Sequence, residues 1–255
     1  MRFQRKELKL DVPFSFNNFF GVLLKLKLPV LFINFKVYEE ATGKNALALA
    51  KKAEAVAKKA KANVILVVQP TDLRLISGKI RLPLFAHHTD PIEFGAKTGW
   101  ISPFAVKQAG AVGTFLNHAE HKVSNEILEQ SIGIAKKAGL SVLACAEDLE
   151  RAKQIASFSE KPDFIAIEPP ELISGDISVS TARPKFVSDS VSAIKQIAPK
   201  IIVITGAGIK NSADVAKAIE LGTSGVIVAS GIVKNSDQKK AIADLVSGLK
   251  TNKRN

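Results

Sequence analysis

At 255 residues, with 46% hydrophobic and 24% charged residues, the chain is long enough to bury a large core within one α/β domain. Its single cysteine, Cys145, excludes an internal disulfide framework and any cysteine-based metal site, and fits a reducing cytoplasm. The net charge of +12 raises nucleic acid, an anionic membrane or anionic small substrates as partners. However, the lysines are spread along the chain on helix-forming stretches such as 51–61, where solvated faces are the ordinary outcome. With no zinc spacing, P-loop or RNP-like aromatic motif, neither a metal nor a nucleic-acid partner is expected. No stretch approaches the roughly 18 apolar residues of a membrane span.

Residues 1–28 stand apart. They mix Arg2, Arg5, Lys6 and Lys9 with an aromatic cluster of Phe14, Phe16, Phe19 and Phe20. Asn17, Asn18 and Lys25 interrupt any secretory core. A membrane-surface helix, an oligomer contact and an upstream start codon wrongly assigned are the three readings, and the last is favoured. It predicts a native N-terminus near Leu28.

From there one pattern repeats: an apolar strand, then an amphipathic helix. Strand Val30–Asn34 precedes helix Lys44–Lys61, Val64–Val68 precedes Asp72–Ser77, and Leu84–His87 precedes a long glycine-containing loop and Phe104–Ala109. Gly113–Leu116 then leads to Asn125–Ala138, Ser141–Cys145 to Leu149–Ala156, and Phe164–Ile167 to Pro184–Ile197. Ile201–Ile204 with Ala213–Leu221, and Val226–Val228 with Gln238–Leu249, complete eight units. Eight parallel strands joined by right-handed crossovers close a barrel. An open doubly wound sheet is disfavoured by that count and by the missing dinucleotide fingerprint. The expected organisation is one (β/α)8 domain over 29–250, after the 1–28 extension and before a basic tail at 251–255.

Barrel active sites are built at the C-terminal ends of strands, so the polar residues there are the candidates. The run Asp163–Asp176, D-F-I-A-I-E-P-P-E-L-I-S-G-D, places Glu168 where a buried strand stops. The first strand ends Asn34-Phe35-Lys36, which in an extended backbone puts amide and ammonium on one side. The fourth ends Asn117-His118-Ala119-Glu120. Small residues after strands seven and eight, Thr205-Gly206-Ala207-Gly208 and Ala229-Ser230-Gly231, leave backbone N–H groups open to a phosphate. Taken singly, each has a plain structural reading: a capping carboxylate, a surface lysine, a hydrogen-bonded histidine, a glycine turn. Together they suit proton chemistry on a small phosphorylated carbonyl compound, with no metal or cofactor.

At this point the chain resembles the triosephosphate isomerases, in their short archaeal form. The matching pieces are N-F-K at 34–36, G-A-x-T-G at 95–99, A-V-G-T-F-L-N-H-A-E at 111–120, A-I-E-P-P-E-L-I at 166–173, T-G-A-G-I at 205–209 and G-V-I-V-A-S at 225–230. They run in family order, which makes the set specific where no single piece is. The resemblance implies a single-domain TIM barrel interconverting dihydroxyacetone phosphate and glyceraldehyde 3-phosphate in the cytoplasm, in glycolysis and gluconeogenesis. It makes Glu168 the base, His118 the neutral electrophile, and Lys36 and Asn34 the groups that hold substrate and stabilise the enediolate. Pro169–Asp176 becomes a closing loop, with Ile173, Ser174, Gly208, Ala229 and Ser230 around the phosphate. Thr98 matches a residue reaching into a partner subunit, which implies a homodimer or homotetramer.

Some positions depart from the family pattern. Ala119 replaces the usual serine after the histidine, and the closing loop reads Ile173-Ser174-Gly175-Asp176 instead of Ile-Gly-Thr-Gly. Trp100 and His87-His88-Thr89 are also unusual. These changes bear on loop closure and phosphate binding but spare all four catalytic positions, so activity is the expectation. Two other readings stand beside it: another phosphate-binding barrel enzyme, which would need its own acid–base set, and a catalytically degenerate barrel that binds anions or nucleic acid.

Overall fold

The computed structural model describes residues 28–172 and 178–250. The expectations placed on the N-terminal extension, on Ile173, Ser174 and Asp176, and on the tail at 251–255 therefore lie outside the described residues.

Eight strands pair in parallel, each with its sequence neighbour, and the last returns to the first to close the barrel. They are β1 (Val30–Asn34), β2 (Asn63–Val68), β3 (Leu84–Ala86), β4 (Gly113–Leu116), β5 (Ser141–Ala146), β6 (Phe164–Ile167), β7 (Ile202–Thr205) and β8 (Gly225–Val228). The strand runs are almost continuously apolar because helices cover the outer face while side chains fill the lumen. The pleat sorts them. Val30 and Phe32 point inward, together with Phe85, Phe115, Leu143, Phe164 and Ala166. Leu31, Ile33, Ile165 and Ile167 point outward against the helices.

Phe32 is the hub of the lumen. It is fully buried and lies 5.6 Å from Phe85 and 5.5 Å from Phe164, both edge-on, the arrangement that ring quadrupoles favour. Gly113 makes this packing possible, since a Cβ there would sit 2.3 Å from the Phe85 ring.

The longer outer helices are α1 (Lys44–Ala60), α4 (Asn125–Lys137), α7 (Pro184–Ile197) and α10 (Gln238–Gly248), with α2 (Pro70–Ile76), α3 (Pro103–Gln108), α5 (Leu149–Ser157) and α8 (Ser212–Glu220) between them. Start signals match the chemistry: Ser124, Asp148 and Asn211 each accept a backbone N–H at a helix start, satisfying a donor that would otherwise be orphaned. The sequence reading omits two four-residue helices, α6 (Val179–Ala182) and α9 (Ser230–Val233). One turn is too short to display a helical period.

Candidate active site

Strand alternation carries the lumen register one layer further at the C-terminal mouth. After Phe32 the next inward position on β1 is Asn34, and after Phe164 and Ala166 the next on β6 is Glu168. Both are buried. Asn34, Lys36, His118 and Glu168 line one pocket of about 380 Å³, whose other wall includes Gly208, Ala229 and Ser230. Residues from 34 to 230 in sequence are thus brought together, as the strand-end argument requires.

Lys36 reaches the pocket by a route other than the expected one. Its backbone is left-handed (φ 47°) rather than extended, a conformation costing a non-glycine residue about 1 kcal/mol. The Asn34 side-chain carbonyl accepts the Lys36 N–H at 3.0 Å and holds the bend. The Lys36 ammonium, itself buried, donates to Glu120 at 2.7 Å. Burial works to raise the Glu120 carboxyl, but the Lys36 hydrogen bond and charge, aided by His118 and His87, hold it below the usual carboxylate range.

His118 is set by the same residue. Its Nδ1 accepts the Glu120 backbone N–H at 3.1 Å. Accepting requires a lone pair, so in this geometry Nδ1 is the acceptor of the ring and Nε2 is the nitrogen left to act as donor. The Glu120 carboxylate lies 3.7 Å from Nδ1, too far for a hydrogen bond. Behind this pair, His87 is half-buried with its Nε2 3.1 Å from the Val67 carbonyl. Desolvation drives its pKa down to about 4, against the pull of that carbonyl, so His87 is neutral beside the pocket at ordinary pH.

Asn117, left-handed at φ 57°, fastens the loop carrying His118. Its amide donates to the Cys145 carbonyl at 2.8 Å and accepts the Val123 N–H at 3.0 Å. Glu168 stands in a tight slot. Its Oε2 is buried with no hydrogen-bond partner, and its Oε1 would lie 2.2 Å from a Cβ placed on Gly206. The buried Cys145 thiol adjoins the carboxylate. Desolvation, then the Glu168 charge and hydrogen bond, push that thiol well above its usual pKa.

A family model for triosephosphate isomerase matches residues 29–247. The chain belongs to the triosephosphate isomerase family. The triosephosphate isomerase of Methanobacterium bryantii is 43% identical over 221 residues, covering 87% of this chain and 97% of that one. That of Methanothermus fervidus is 40% identical, covering 87% and 99%. The crystal structure of triosephosphate isomerase from Bartonella henselae superposes with a TM-score of 0.66 at 19% identity, covering 87% and 98%, a likeness of fold.

Among the described residues no cluster of three or more His, Cys, Asp or Glu suits a metal ion, and no helix is long and apolar enough to cross a membrane. Other family positions fall where the chemistry allows. Gly208 is left-handed at φ 71°, and the first N–H groups of α9, on Ser230 and Gly231, have no acceptor within that helix. Thr98 is exposed in the loop after β3.

Glu120, Gly206 and His87 are supporting residues that strand-end reasoning did not assign. Glu120 stood in the N-H-A-E match and Gly206 in the T-G-A-G turn, but their contacts come from three separate strand ends.

Proposed function

We propose that the chain interconverts dihydroxyacetone phosphate and D-glyceraldehyde 3-phosphate by proton transfer through an enediolate. Glu168 takes the proton from the carbon beside the carbonyl and returns it to the neighbouring carbon. Its Oε2, which has no hydrogen-bond partner in the structure, supports this role, because a lone pair on that oxygen is left to accept the substrate proton. His118, offering Nε2–H, polarises the carbonyl oxygen, and the Lys36 ammonium offsets the charge that develops there. Asn34 fixes Lys36 by its backbone. The phosphate lies against the backbone of Gly208, Ala229 and Ser230, with Ile173 and Ser174 completing its cover as the 169–176 loop closes and excludes water.

One observation carries this reading: the acid–base set and the small-residue turns after β7 and β8 line a single pocket. A coupled assay with glyceraldehyde 3-phosphate, run beside Glu168→Gln, tests it. Isomerisation that collapses in the variant supports the assignment, and an inactive parent sinks it.

The loop after β3 supports a homo-oligomer, dimer or tetramer: Phe94 is 71% and Trp100 54% exposed there, and Val37 76% exposed after β1. Sedimentation equilibrium of the full chain decides it, a monomer being the contrary result. The family's chemistry and the free thiol of Cys145 support a cytoplasmic place in glycolysis and gluconeogenesis.

A further inference from the structure

The lysines scattered along the sequence do not stay scattered. Because β1 pairs with β8, α1 and α10 lie side by side on the outside of the barrel, and Lys52 donates to Gln238 at 2.9 Å across them. Between the two helices runs a groove of about 590 Å³ that shares no lining residue with the active-site pocket. Lys59, Lys239, Lys240 and Lys250 line it, and Asp237 is its one carboxylate. Asp237 is already engaged, accepting the Lys240 N–H at 3.0 Å as the α10 cap. Exposed Lys51 and Lys58 extend the basic edge along α1.

Two features mark this cluster. Five lysines elsewhere are ion-paired, Lys122 with Glu147, Lys137 with Glu93, Lys153 with Glu150, Lys185 with Asp189 and Lys217 with Glu220, whereas the groove draws four lysines from both ends of the chain together. Among the described residues the four groove lysines form no ion pair. In addition, Lys239 and Lys240 sit in the first turn of α10, which holds no acidic residue. That is the positive end of the helix dipole, where a cation is disfavoured by about 0.3–1 kcal/mol. Helix stability therefore does not account for their placement, whereas an external polyanion does.

We propose that the α1–α10 groove is a sequence-independent binding site for the phosphate backbone of duplex nucleic acid. The 11 residues of α10 span about 16 Å, and duplex DNA carries a charge every ~1.7 Å along its axis, so the groove faces several phosphates at once. Its walls are alanines, Ala55, Ala60 and Ala243. With no aromatic to stack on a base and no arginine fork, base reading is absent. With no exposed Trp, Phe or Leu in the groove to enter a lipid interface, a membrane is disfavoured.

The test titrates full-length protein into a labelled mixed-sequence DNA duplex of about 30 base pairs, following anisotropy between about 50 and 200 mM salt. Micromolar-range binding is expected, with log K falling against log salt at a slope of about −3.6 for four neutralised phosphates. Replacing Lys59, Lys239, Lys240 and Lys250 with Gln should weaken binding at least about tenfold and flatten that slope, with the thermal melt and isomerase activity kept. A second variant with the same loss of charge, Lys79, Lys137, Lys185 and Lys200 to Gln, should bind as the parent does. Equal weakening in both variants, undiminished binding in the first, or capture by phosphatidylserine vesicles without duplex binding would each overturn the proposal.

Discussion

Gly206→Ala tests the slot that holds the candidate base. The added Cβ would lie 2.2 Å from Glu168 Oε1, 2.9 Å from Cδ and 3.1 Å from Cγ, where ordinary contact begins at 3.4 Å. The carboxylate must therefore retreat by about 1.2 Å. Gly206 does not adopt a left-handed backbone, and alanine keeps the N–H that Gly206 donates to Ile167 at 3.3 Å, so little backbone strain is added. The clash is with the far end of a rotatable side chain. It is relieved cheaply in stability and at a cost in catalysis. A displacement near 1 Å from reacting geometry costs on the order of 100-fold, or about 2.7 kcal/mol of barrier. We expect kcat in the coupled assay to fall by about that factor, with the thermal midpoint shifted by only a few degrees. In a Glu168→Asp background, whose carboxylate is already withdrawn, the same alanine should cost clearly less, giving non-additive rates. A kcat within about threefold of the parent would refute the idea that this contact positions Glu168.

Other expectations can be measured on the same protein. His87 is held down at about 4 in the folded chain against the ordinary 6.5 of a free histidine, so below 6.5 the unfolded state binds the extra proton and stability falls as pH drops. The loss should reach about 2 kcal/mol between pH 7.5 and pH 5, and His87→Gln should flatten that part of a urea-unfolding pH series. His88, lowered by burial and by its stacked neighbour His121 despite Asp90, leaves a residual slope of the same sign. If Ser174 and Asp176 impair closure of the 169–176 loop, Ser174→Gly with Asp176→Gly should raise kcat/KM for glyceraldehyde 3-phosphate, and unchanged kinetics reject that account.

Much of the candidate site was legible because its signals are local. A carboxylate after F-I-A-I and before two prolines marks a strand end whatever surrounds it. Inward alternation then carries Phe164 and Ala166 to Glu168, as it carries Phe32 to Asn34. Lys36 was found for an incomplete reason: the extended backbone invoked for it is a left-handed bend held by the Asn34 amide. No propensity rule predicts that bend, since the partner that stabilises it is known only once the chain has turned.

By itself the sequence determined the eight strand-and-helix units, with the bounds of β1, β4, β6 and α7 as observed, and the polar residues at the strand ends. Those features depend on periodicity, β-branched runs and breakers within a few residues of each other. Only the tertiary structure decided how separate units meet. Closure placed Gly206 of β7's end against Glu168 of β6's end, and Glu120 against both Lys36 and His118. It also placed the lysines of α10 beside those of α1, nearly two hundred positions away in the chain. Contacts of that kind arise from barrel geometry, which the order of residues specifies only through the fold as a whole.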